Sequence, residues 1–409
     1  MAGPGPDKKT TVLWIWHAAV VAEYRKPLAA LARMYPCLDL TLLTPRRWPE
    51  RAGQMVHSEP SPPGSGYRVL NGRTTLTGLY YLYYYPGLLS RLRRMRPDIV
   101  YCYEEAHTLL AAAVLLIRRL FLPRTRVLLY AAQNIVKRYP WPFRMFERYC
   151  FRYTDGILAC GETVAATLRA KGYRGPLHVV ALPTDVSTFT PGPELRARGR
   201  ERLGLPDGAL VVGYAGKLVE EKGIRTLLRA FARVARRHQD AHLVFAGGGP
   251  LKDEIARKAR EIGLSGRVHL PGVIHNDDLP AYMNALDVFV LPSETRRNWR
   301  EQFGRVVVEA MSCGVPVIGS DSGEIPVVLG GAGMVFREGQ AGELAARLDA
   351  LLSSPGERER LSRAGRERVL ECFTTERVAE QHFAIYRSLL GEETSQAPEA
   401  VAVESGRAG

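Results

Sequence analysis

Short β-rich runs alternate with helical patterns along almost the whole chain, and this alternation restricts the chain to a small set of folds. Strand-like runs such as "TVLWIW" (11–16), "LDLTLLTP" (38–45) and "RVLLYAAQN" (126–134) are separated by segments with helical periodicity. Strands that alternate with helices form βαβ units and therefore a parallel, doubly wound sheet. The chain is predicted to be an α/β protein.

The alternation is interrupted at 184–209, and this interruption divides the chain into two halves. The stretch "TDVSTFTPGPELRARGRERLGLPDGA" carries three prolines and no strand pattern, so we predict an interdomain linker over 188–209. A chain of 409 residues is also too long for one ordinary core. The predicted organisation is a Rossmann-like domain at 1–187, the linker, a second Rossmann-like domain at 210–373, a final helix at 374–390 and a tail of disordered composition at 391–409.

The cysteines and the apolar runs favour a cytoplasmic protein. The six cysteines are scattered without a C-x-x-C pair, which argues for a reducing compartment and against a zinc site or a disulfide framework. The start of the sequence, "MAGPGPDKKTTVLWIW", has an apolar run too short for a signal peptide. The longest apolar stretch, 108–117, is about half the length that a bilayer span needs, so a buried helix is predicted there.

Positive charge is concentrated in the first half of the chain. Residues 1–187 hold 26 Lys and Arg against 12 Asp and Glu, whereas residues 188–409 hold 30 of each. The excess clusters in "RLRRMR" (91–96), "RR" (118–119) and "RTR" (124–126). A basic face suits an anionic partner, namely a phospholipid surface, a phosphorylated acceptor or nucleic acid, and the alternative is a solvated arginine-rich surface.

The segment "LYYLYYYPGLLSRLRRMR" (79–96) adds tyrosines to these arginines. It is predicted to be helical with a proline interruption. Tyrosine and arginine together suit a membrane interface, so we predict peripheral contact with an anionic membrane and no nucleic-acid partner. The alternative is a row of core-facing tyrosines with a solvated basic end.

The segment "GYAGKLVEEKG" (213–223) has the features of an anion site. A strand ends at Gly216, and Lys217 and Lys222 flank the turn into the next helix. Backbone N–H groups at a helix start together with two lysines suit a diphosphate. The alternative is a pair of surface loop lysines.

The segment "EQFGRVVVEA" (301–310) places two carboxylates on either side of a helix start. Gly304 is predicted to begin a helix that runs to about residue 312, with Glu301 at its mouth and Glu309 roughly 12 Å along the axis. N–H groups around Phe303 and Gly304 then face a phosphate, and each glutamate accepts from a hydroxyl-bearing ring. A nucleotide sugar has this shape. For Glu301 an exposed surface position is the alternative, whereas Glu309 is predicted to be buried with a polar partner.

Several familiar motifs are missing. The glycine-rich turn "FAGGGPLKDE" (245–254) lacks the third glycine of G-x-G-x-x-G, and the sequence contains no G-x-x-x-x-G-K-[ST] and no D-x-D. These absences weigh against a nicotinamide dehydrogenase, a P-loop ATPase and a metal that holds phosphates. We predict no cofactor and no metal.

Taken together, these segments resemble the retaining glycosyltransferases of family 4. "GKLVEEKG" resembles the family's G-R-L-x-x-x-K-G, "AGGGPL" its G-x-G-P-L turn, and "EQFGRVVVEAMSCGVPVIGSD" its E-x₇-E region. "CFTTERVAEQHFAIY" looks like the helix that crosses back onto the first domain. The resemblance implies the GT-B fold, in which two Rossmann-like domains face each other across a cleft, the first binding the acceptor and the second the nucleotide sugar.

The resemblance also implies residue roles. Glu301 would contact hydroxyls of the donor sugar and Glu309 the ribose, while Lys217 and Lys222 would stabilise the leaving diphosphate. Lys217 stands where an arginine is commoner, so a single-oxygen contact replaces a planar fork. The leaving phosphate itself can take the acceptor's proton, so the scheme requires no protein base. The donor-binding set is completed by Gly216, Phe303, Gly304 and Arg305.

The first half departs from the family pattern. Gln133 occupies the apparent position of a family histidine, and "WIWHAAVV" offers His17 where a glycine pair is usual. His17, Glu104, Glu105 and His107 lie at predicted strand ends, and with Gln133 they are candidates for acceptor or sugar contacts. A structural role is the alternative for each histidine, and acid–base work by Gln133 is excluded.

The predicted function is a retaining, metal-independent transfer of a sugar from a nucleotide-diphosphate sugar to a glycan or lipid-linked acceptor, in cell-surface polysaccharide or glycolipid synthesis. The predicted location is the cytoplasm or the inner face of the membrane. Two alternatives remain. A nucleotide-sugar 2-epimerase has the same architecture, and a non-catalytic nucleotide-sugar-binding protein would explain the loss of the histidine at Gln133.

Overall fold

The computed structural model describes residues 9–49 and 55–392. The described chain divides into two compact units. The first comprises the residues up to Ala181 together with those from Thr375 onward, and the second comprises Leu182–Thr374.

The first unit is built on a seven-stranded sheet in the order β5-β2-β1-β6-β7-β8-β9, in which all adjacent strands are parallel. A separate two-stranded antiparallel sheet is formed by β3 and β4, which lie between β2 and β5 in the sequence. The strands are β1 Thr10–Ile15, β2 Leu38–Pro45, β3 Arg47–Pro49, β4 Met55–His57, β5 Arg68–Gly72, β6 Ile99–Cys102, β7 Arg126–Ala131, β8 Gly156–Ala159 and β9 Leu177–Val179. The helices that follow them are α1 Lys26–Met34, α2 Leu88–Met95, α3 Leu109–Phe121, α4 Phe143–Tyr153 and α5 Glu162–Ala170.

The central strands of this sheet are buried on both faces. Every residue of β6 ("IVYC") and β8 ("GILA") is buried, and the sequence of each strand is a continuous apolar run rather than an alternation. Parallel sheets covered by helices on both sides require such runs. The predicted doubly wound α/β architecture is therefore confirmed for this unit.

The predicted helix over 79–96 is only half present. The structure has α2 from Leu88, whereas 79–87 is irregular, and Tyr84 within it forms an isolated antiparallel bridge with Thr75. Tyr83 and Tyr85 both point into the core, two residues apart, which is an extended rather than a helical periodicity. Pro86 also disfavours helical backbone in the residue before it. The tyrosines are therefore divided between the core and the surface.

The second unit is built on a six-stranded parallel sheet in the order β12-β11-β10-β13-β14-β15. Its strands are β10 Leu210–Ala215, β11 Ala241–Ala246, β12 Val268–Gly272, β13 Val288–Leu291, β14 Val317–Ser320 and β15 Met334–Phe336. Its helices are α6 Pro193–Leu203, α7 Ile224–Val234, α8 Lys252–Glu261, α9 Leu279–Ala285, α10 Arg305–Ser312, α11 Ile325–Leu329, α12 Ala341–Ser353 and α13 Pro355–Cys372.

Each sheet reverses its strand order at one place. The order reverses between β1 and β6 in the first unit and between β10 and β13 in the second. In open α/β sheets, ligands bind beyond the carboxyl ends of the strands at such a reversal. The residues that follow these four strands are therefore the first places to look for function.

The segment predicted as a linker at 188–209 differs from the expectation, since it contains α6 and belongs to the second unit. A side chain on Gly199 would lie 2.1 Å from the Ala281 carbonyl oxygen, so this glycine permits α6 to pack closely on α9. Arg196 and Arg200 each donate to the Asp287 carboxylate, at 2.7 and 2.8 Å. The segment has the sequence pattern of a linker because α6 has no apolar stripe. Two arginine–aspartate contacts and the close packing that Gly199 permits hold α6 in place instead.

The last helix, α14 Thr375–Leu390, belongs to the first unit and packs on α1. The rings of Tyr35 and Phe383 stack at 3.7 Å, and Arg33 Nη2 lies 2.6 Å from Glu376 Oε1. Residues 393–409 of the predicted tail lie outside the described residues. Among the helices of the described ranges, none has the length and apolarity to cross a membrane.

Candidate functional site

In the second unit, the turn after β10 carries the two lysines predicted to bind a diphosphate. Lys217 is exposed, and its carbonyl accepts a hydrogen bond from the Tyr214 hydroxyl at 2.8 Å, which ties the turn to its strand. Lys222 is half-buried and precedes Gly223, which has φ +65°. A side chain on Gly223 would lie 1.8 Å from the Pro292 carbonyl oxygen, so only glycine brings Lys222 this close to β13.

This close approach joins Lys222 to a residue 79 positions later in the chain. The Lys222 Nζ lies 2.6 Å from Glu301 Oε2, and the same oxygen accepts from Ser293 Oγ at 2.6 Å. Glu301 is only 7% exposed, so the predicted alternative of a surface glutamate is wrong. The ammonium also lies 4.9 Å from the centre of the Trp299 ring. A lysine ammonium has three N–H donors, so this ion pair leaves donors for a further anion.

The predicted helix from Gly304 is confirmed as α10. Gly304 caps it with φ +79°, a left-handed conformation that favours glycine, and the buried Phe303 ring packs edge-on against Phe373 at 5.9 Å. Glu309 is 5% exposed, and its Oε1 lies 3.3 Å from Arg305 Nε one helical turn earlier. The prediction that Glu309 is buried with a polar partner is confirmed.

Two residues beside the Lys222–Glu301 ion pair were not predicted from the sequence. Ser293 follows β13 directly, in "DVFVLPS", and its place at the carboxyl end of a strand beside the reversal is a signal that could have identified it. Trp299 stands in an irregular segment, where only the fold brings it to Lys222. Ser293 therefore contacts the carboxylate of the ion pair, and Trp299 contacts its ammonium group.

In the first unit, the structure brings together two of the predicted candidates at the β1/β6 reversal. His17 follows β1 and Glu104 follows β6, and His17 Nδ1 lies 2.5 Å from Glu104 Oε1. The Tyr83 hydroxyl donates to the same oxygen. Glu104 is 0% exposed, whereas the His17 side chain keeps 16% of its surface accessible. Burial and the nearby Glu104 raise the pKa of Tyr83 well above its ordinary value, so the phenol keeps its proton and acts as the donor.

Glu105 and Gln133 form a second group. Glu105 Oε1 accepts from the backbone N–H groups of Ala132 and Gln133 at 2.7 and 3.0 Å. Burial raises the pKa of Glu105 to about 7, although these two N–H groups and Lys171 act in the opposite direction. The Gln133 amide oxygen accepts from the Ile135 N–H at 3.2 Å. Glu105 therefore shapes the loop that carries Gln133.

His107 has a different set of neighbours from His17. Its ring stacks on Tyr139 at 3.9 Å, and burial together with Lys171 and Lys137 lowers its pKa to about 3. Lys171 in turn lies 4.5 Å from the centre of the Tyr139 ring and pairs with Glu147. A neutral, stacked imidazole fits the structural alternative that was stated for His107.

Aromatic rings surround the His17 imidazole and were not predicted as site residues. Ring centres lie 4.7 Å away at Trp48, 5.2 Å at Tyr80 and 5.7 Å at Tyr83. The tyrosine-rich composition of 79–85 signals this group, but the assumed helical period hid which rings point inward. Within the described ranges, the structure holds no cluster of three or more His, Cys, Asp or Glu side chains suited to a metal ion.

Comparison with known proteins places the chain in a family. The family model for Glycosyltransferase Family 4 matches residues 30–188, and that for Glycosyl transferases group 1 matches residues 196–368. The 2-deoxystreptamine glucosyltransferase of Streptomyces kanamyceticus is 30% identical over 66% of this chain and 70% of its own length. A GDP-mannose-dependent alpha-(1-6)-phosphatidylinositol monomannoside mannosyltransferase of Mycolicibacterium smegmatis is 36% identical over 46% of this chain, and the match spans about half of that relative, 51%.

Solved structures share the fold. Sucrose-phosphate synthase from Thermosynechococcus elongatus superposes with a TM-score of 0.69 at 21% identity, over 94% of this chain and 100% of that chain. The Anabaena protein Alr3699/HepE in complex with UDP gives 0.70 at 17% identity, over 93% and 100%. Two parallel-sheet Rossmann-like units of this kind define a GT-B protein. The chain belongs to the family 4 glycosyltransferases, and this membership favours a sugar transferase over the epimerase and the non-catalytic alternatives.

Proposed function

We propose that this protein transfers a sugar from a nucleotide-diphosphate sugar to a hydroxyl of a glycan or lipid-linked acceptor, with retention of configuration at the anomeric carbon. The observation that carries the proposal is the ion pair of Lys222 and Glu301, fixed by Ser293 at the strand-order reversal of the second unit. A cation with spare donors beside a buried carboxylate suits a sugar diphosphate, which presents phosphate oxygens next to ring hydroxyls.

The second unit binds the donor in this proposal. Lys222 and the exposed Lys217 contact the diphosphate, and Glu301 accepts hydrogen bonds from hydroxyls of the donor sugar. Glu309, held by Arg305 on α10, accepts from the ribose hydroxyls. Gly216, Phe303 and Gly304 present backbone toward the phosphates, because the Phe303 side chain is turned into the core.

The catalytic contribution is electrostatic. The bond between the anomeric carbon and the phosphate oxygen breaks, a bond to the acceptor oxygen forms on the same face, and the acceptor's proton passes to the departing phosphate. Negative charge grows on the diphosphate during this step, and fixed cations at Lys217 and Lys222 stabilise it. The scheme requires neither a metal ion nor a protein base.

The first unit supplies the acceptor side and a membrane-facing surface. Several large apolar side chains on and beside α3 and α4 are exposed, among them Leu120 at 61% and Trp141 at 72%. Arg93 lies 5.3 Å from the ring centre of the exposed Phe121, and Arg119 lies 4.4 Å from that of Tyr153. Apolar side chains interleaved with arginines suit an anionic lipid surface. The name of the mycobacterial relative, a phosphatidylinositol monomannoside mannosyltransferase, supports a lipid-linked acceptor.

The donor proposal is tested with purified protein and two donors, UDP-glucose and GDP-mannose. Each donor is offered with phosphatidylinositol monomannoside or with 2-deoxystreptamine, the acceptors that the relatives' names suggest. Acceptor-dependent release of nucleoside diphosphate is expected. The NMR coupling constant at the anomeric position of the product should show the same anomeric configuration as in the donor. An inverted product, or an epimerised nucleotide sugar without transfer, would contradict the proposal. Failure of both UDP and GDP to raise the melting temperature of the protein would contradict the assignment of the donor site.

The membrane proposal is tested by co-sedimentation with vesicles of phosphatidylcholine, with or without phosphatidylglycerol, at low salt. Sedimentation that depends on the anionic lipid and falls as salt rises is expected. Phe121→Ser should reduce it, whereas Leu370→Ser, which alters an equally exposed apolar side chain of the second unit, should not. Equal behaviour of the two variants would overturn the assignment of this surface.

A further inference from the structure

We propose that His17 is the residue that binds a hydroxyl of the acceptor, and that Glu104 is a positioning residue that fixes which ring nitrogen of His17 faces the acceptor. The inference rests on the proposed transferase function and adds the chemical class of the acceptor group. That group is an uncharged polyhydroxylated ring, such as a sugar or a cyclitol.

The location of the pair is the first argument. His17 follows β1 and Glu104 follows β6, and these are the two strands between which the order of the first sheet reverses. Ligands of open α/β sheets bind beyond the carboxyl ends of the strands at this point. The pair therefore occupies the position in the first unit that Lys222 and Ser293 occupy in the second.

The hydrogen bonds indicate the tautomer of the imidazole. Glu104 Oε1 accepts from the Tyr83 hydroxyl and lies 2.5 Å from His17 Nδ1. An acceptor oxygen so placed requires a proton on Nδ1, and in that tautomer of a neutral ring Nε2 carries the lone pair. The other oxygen, Glu104 Oε2, is buried and has no hydrogen-bond partner among the described residues. A wholly buried carboxylate held against one imidazole is a costly arrangement that orients that imidazole.

The rings around His17 indicate what approaches Nε2. Trp48 and Tyr80 are half-buried, and their ring centres lie 4.7 and 5.2 Å from that of His17. Aromatic walls pack against the C–H faces of a sugar or cyclitol ring, while one hydrogen-bond acceptor selects a hydroxyl. Lys217 and Lys222, the lysines proposed to bind the diphosphate, belong to the second unit.

The first experiment identifies the protonated ring nitrogen in the full-length protein. Histidines are labelled with ¹⁵N in the imidazole, and the His17 resonance is assigned by its loss in His17→Gln. The expected result is a proton on Nδ1 in the wild type and a change of that pattern in Glu104→Gln. A neutral ring with its proton on Nε2 in the wild type would overturn the proposal. This measurement does not depend on transferase activity.

The second experiment follows kinetics with phosphatidylinositol monomannoside as the acceptor and the better of the two donors. His17→Ala is expected to raise the acceptor KM at least tenfold while the Kd for the nucleoside diphosphate stays within twofold, and His17→Gln, which keeps an acceptor atom near the Nε2 position, should recover part of the loss. The control is His57→Ala, an exposed histidine of the β3-β4 hairpin, which should match the wild type.

The outcomes separate the two proposals. An unchanged acceptor KM in His17→Ala, with transfer intact, would overturn the role of His17 and leave the transferase proposal standing. If the wild type transfers to neither acceptor, the proposed function fails, and ¹⁵N spectra with added myo-inositol decide the remaining question. A selective shift of the His17 resonance supports a polyol site, and an unmoved resonance at saturating myo-inositol overturns it.

Discussion

The carboxylates of the two candidate sites have different kinds of partners. In the second unit, Glu301 and Glu309 lie beside the cations Lys222 and Arg305. In the first unit, Glu104 lies against a histidine and a tyrosine, and Glu105 accepts from backbone N–H groups. A carboxylate beside a cation is suited to a ligand that is itself charged, because the cation can share its donors with the ligand. A carboxylate held by neutral donors orients its neighbours for an uncharged ligand.

The candidate site with cationic partners lies in the half of the chain that has no excess positive charge. The first half of the chain has an excess of 14 positive charges, from 26 basic and 12 acidic residues, whereas the second half is balanced at 30 of each. Many of the arginines of the first half are on the surface, such as Arg93 and Arg94 on α2, whereas Glu104 in its candidate site has His17 and Tyr83 as hydrogen-bond partners. Net charge therefore indicates what a surface meets, and local pairing indicates what a site binds.

The largest effect is expected for Lys222→Ala. The substitution removes the cation proposed to stabilise the departing diphosphate and leaves the buried Glu301 without its ammonium partner. Loss of such a stabilising donor lowers kcat by roughly 10²–10³. Release of nucleoside diphosphate measures this effect, and Lys252→Ala, an exposed lysine at the start of α8, is the control. Wild-type turnover in Lys222→Ala would show that the charged pairing of the second unit does not serve the reaction.

A smaller effect is expected for Glu309→Gln, which tests whether this carboxylate recognises a ribose. Loss of a charge-assisted hydrogen bond costs roughly 1.5–3 kcal/mol, which corresponds to a Kd for the nucleoside diphosphate that is about 10- to 150-fold higher. Inorganic pyrophosphate has no ribose, so its Kd should be unchanged. Calorimetric titration of both ligands gives the comparison. An equal loss for pyrophosphate would assign Glu309 to the phosphates instead.

The pH dependence of stability tests the first unit. Burial raises the pKa of Glu105 from 4.5 to about 7, so the folded state holds a proton that the unfolded state releases between these values. The contribution is complete below pH 4.5 and is lost as the pH rises through 7, with a slope of at most about 1.4 kcal/mol per pH unit. Glu105→Gln should remove this slope.

The pH experiment is best expressed as the difference between the wild type and Glu105→Gln. His107, whose pKa is lowered to about 3, stabilises the fold above pH 6.5 and loses that contribution as the pH falls, so its effect has the opposite sign and cancels in the difference. Urea unfolding at several values from pH 4.5 to 7.5 provides the measurement. A constant difference across this range would contradict a raised pKa at Glu105.

The smallest effect is expected for an ion pair on the surface of the first unit. Arg68 and Asp39 lie 2.9 Å apart with side chains that are 67% and 37% exposed. Exposed pairs contribute roughly 0–1 kcal/mol, so Arg68→Ala should change the free energy of unfolding by less than about 1 kcal/mol. Chemical denaturation checks this value. A loss of several kcal/mol would mean that surface charge stabilises the first unit after all.

The sequence predicts features whose cause is local and misses those that depend on distant residues. The α/β alternation and the helix start at Gly304 are confirmed, because glycines and short-range periodicity determine them. The contact between Lys222 and Glu301 and the tyrosine that holds Glu104 connect segments far apart in the chain, so no local pattern reports them. The helix predicted over 79–87 is wrong for the same reason, because packing against distant core residues determines which tyrosines point inward. The roles of the site residues remain predictions.

The packing of α14 on α1 has a consequence for how the protein is made. The first unit needs Thr375–Leu390, which the ribosome adds only after the whole of Leu182–Thr374. At about 5–20 residues per second this interval lasts roughly 10–40 s. During that time the nascent chain exposes the ring of Tyr35 and its neighbours on α1, which Phe383 covers in the finished protein. The part of the first unit that is translated first therefore waits for the synthesis of α14, and this interval is when chaperones would meet an open apolar face.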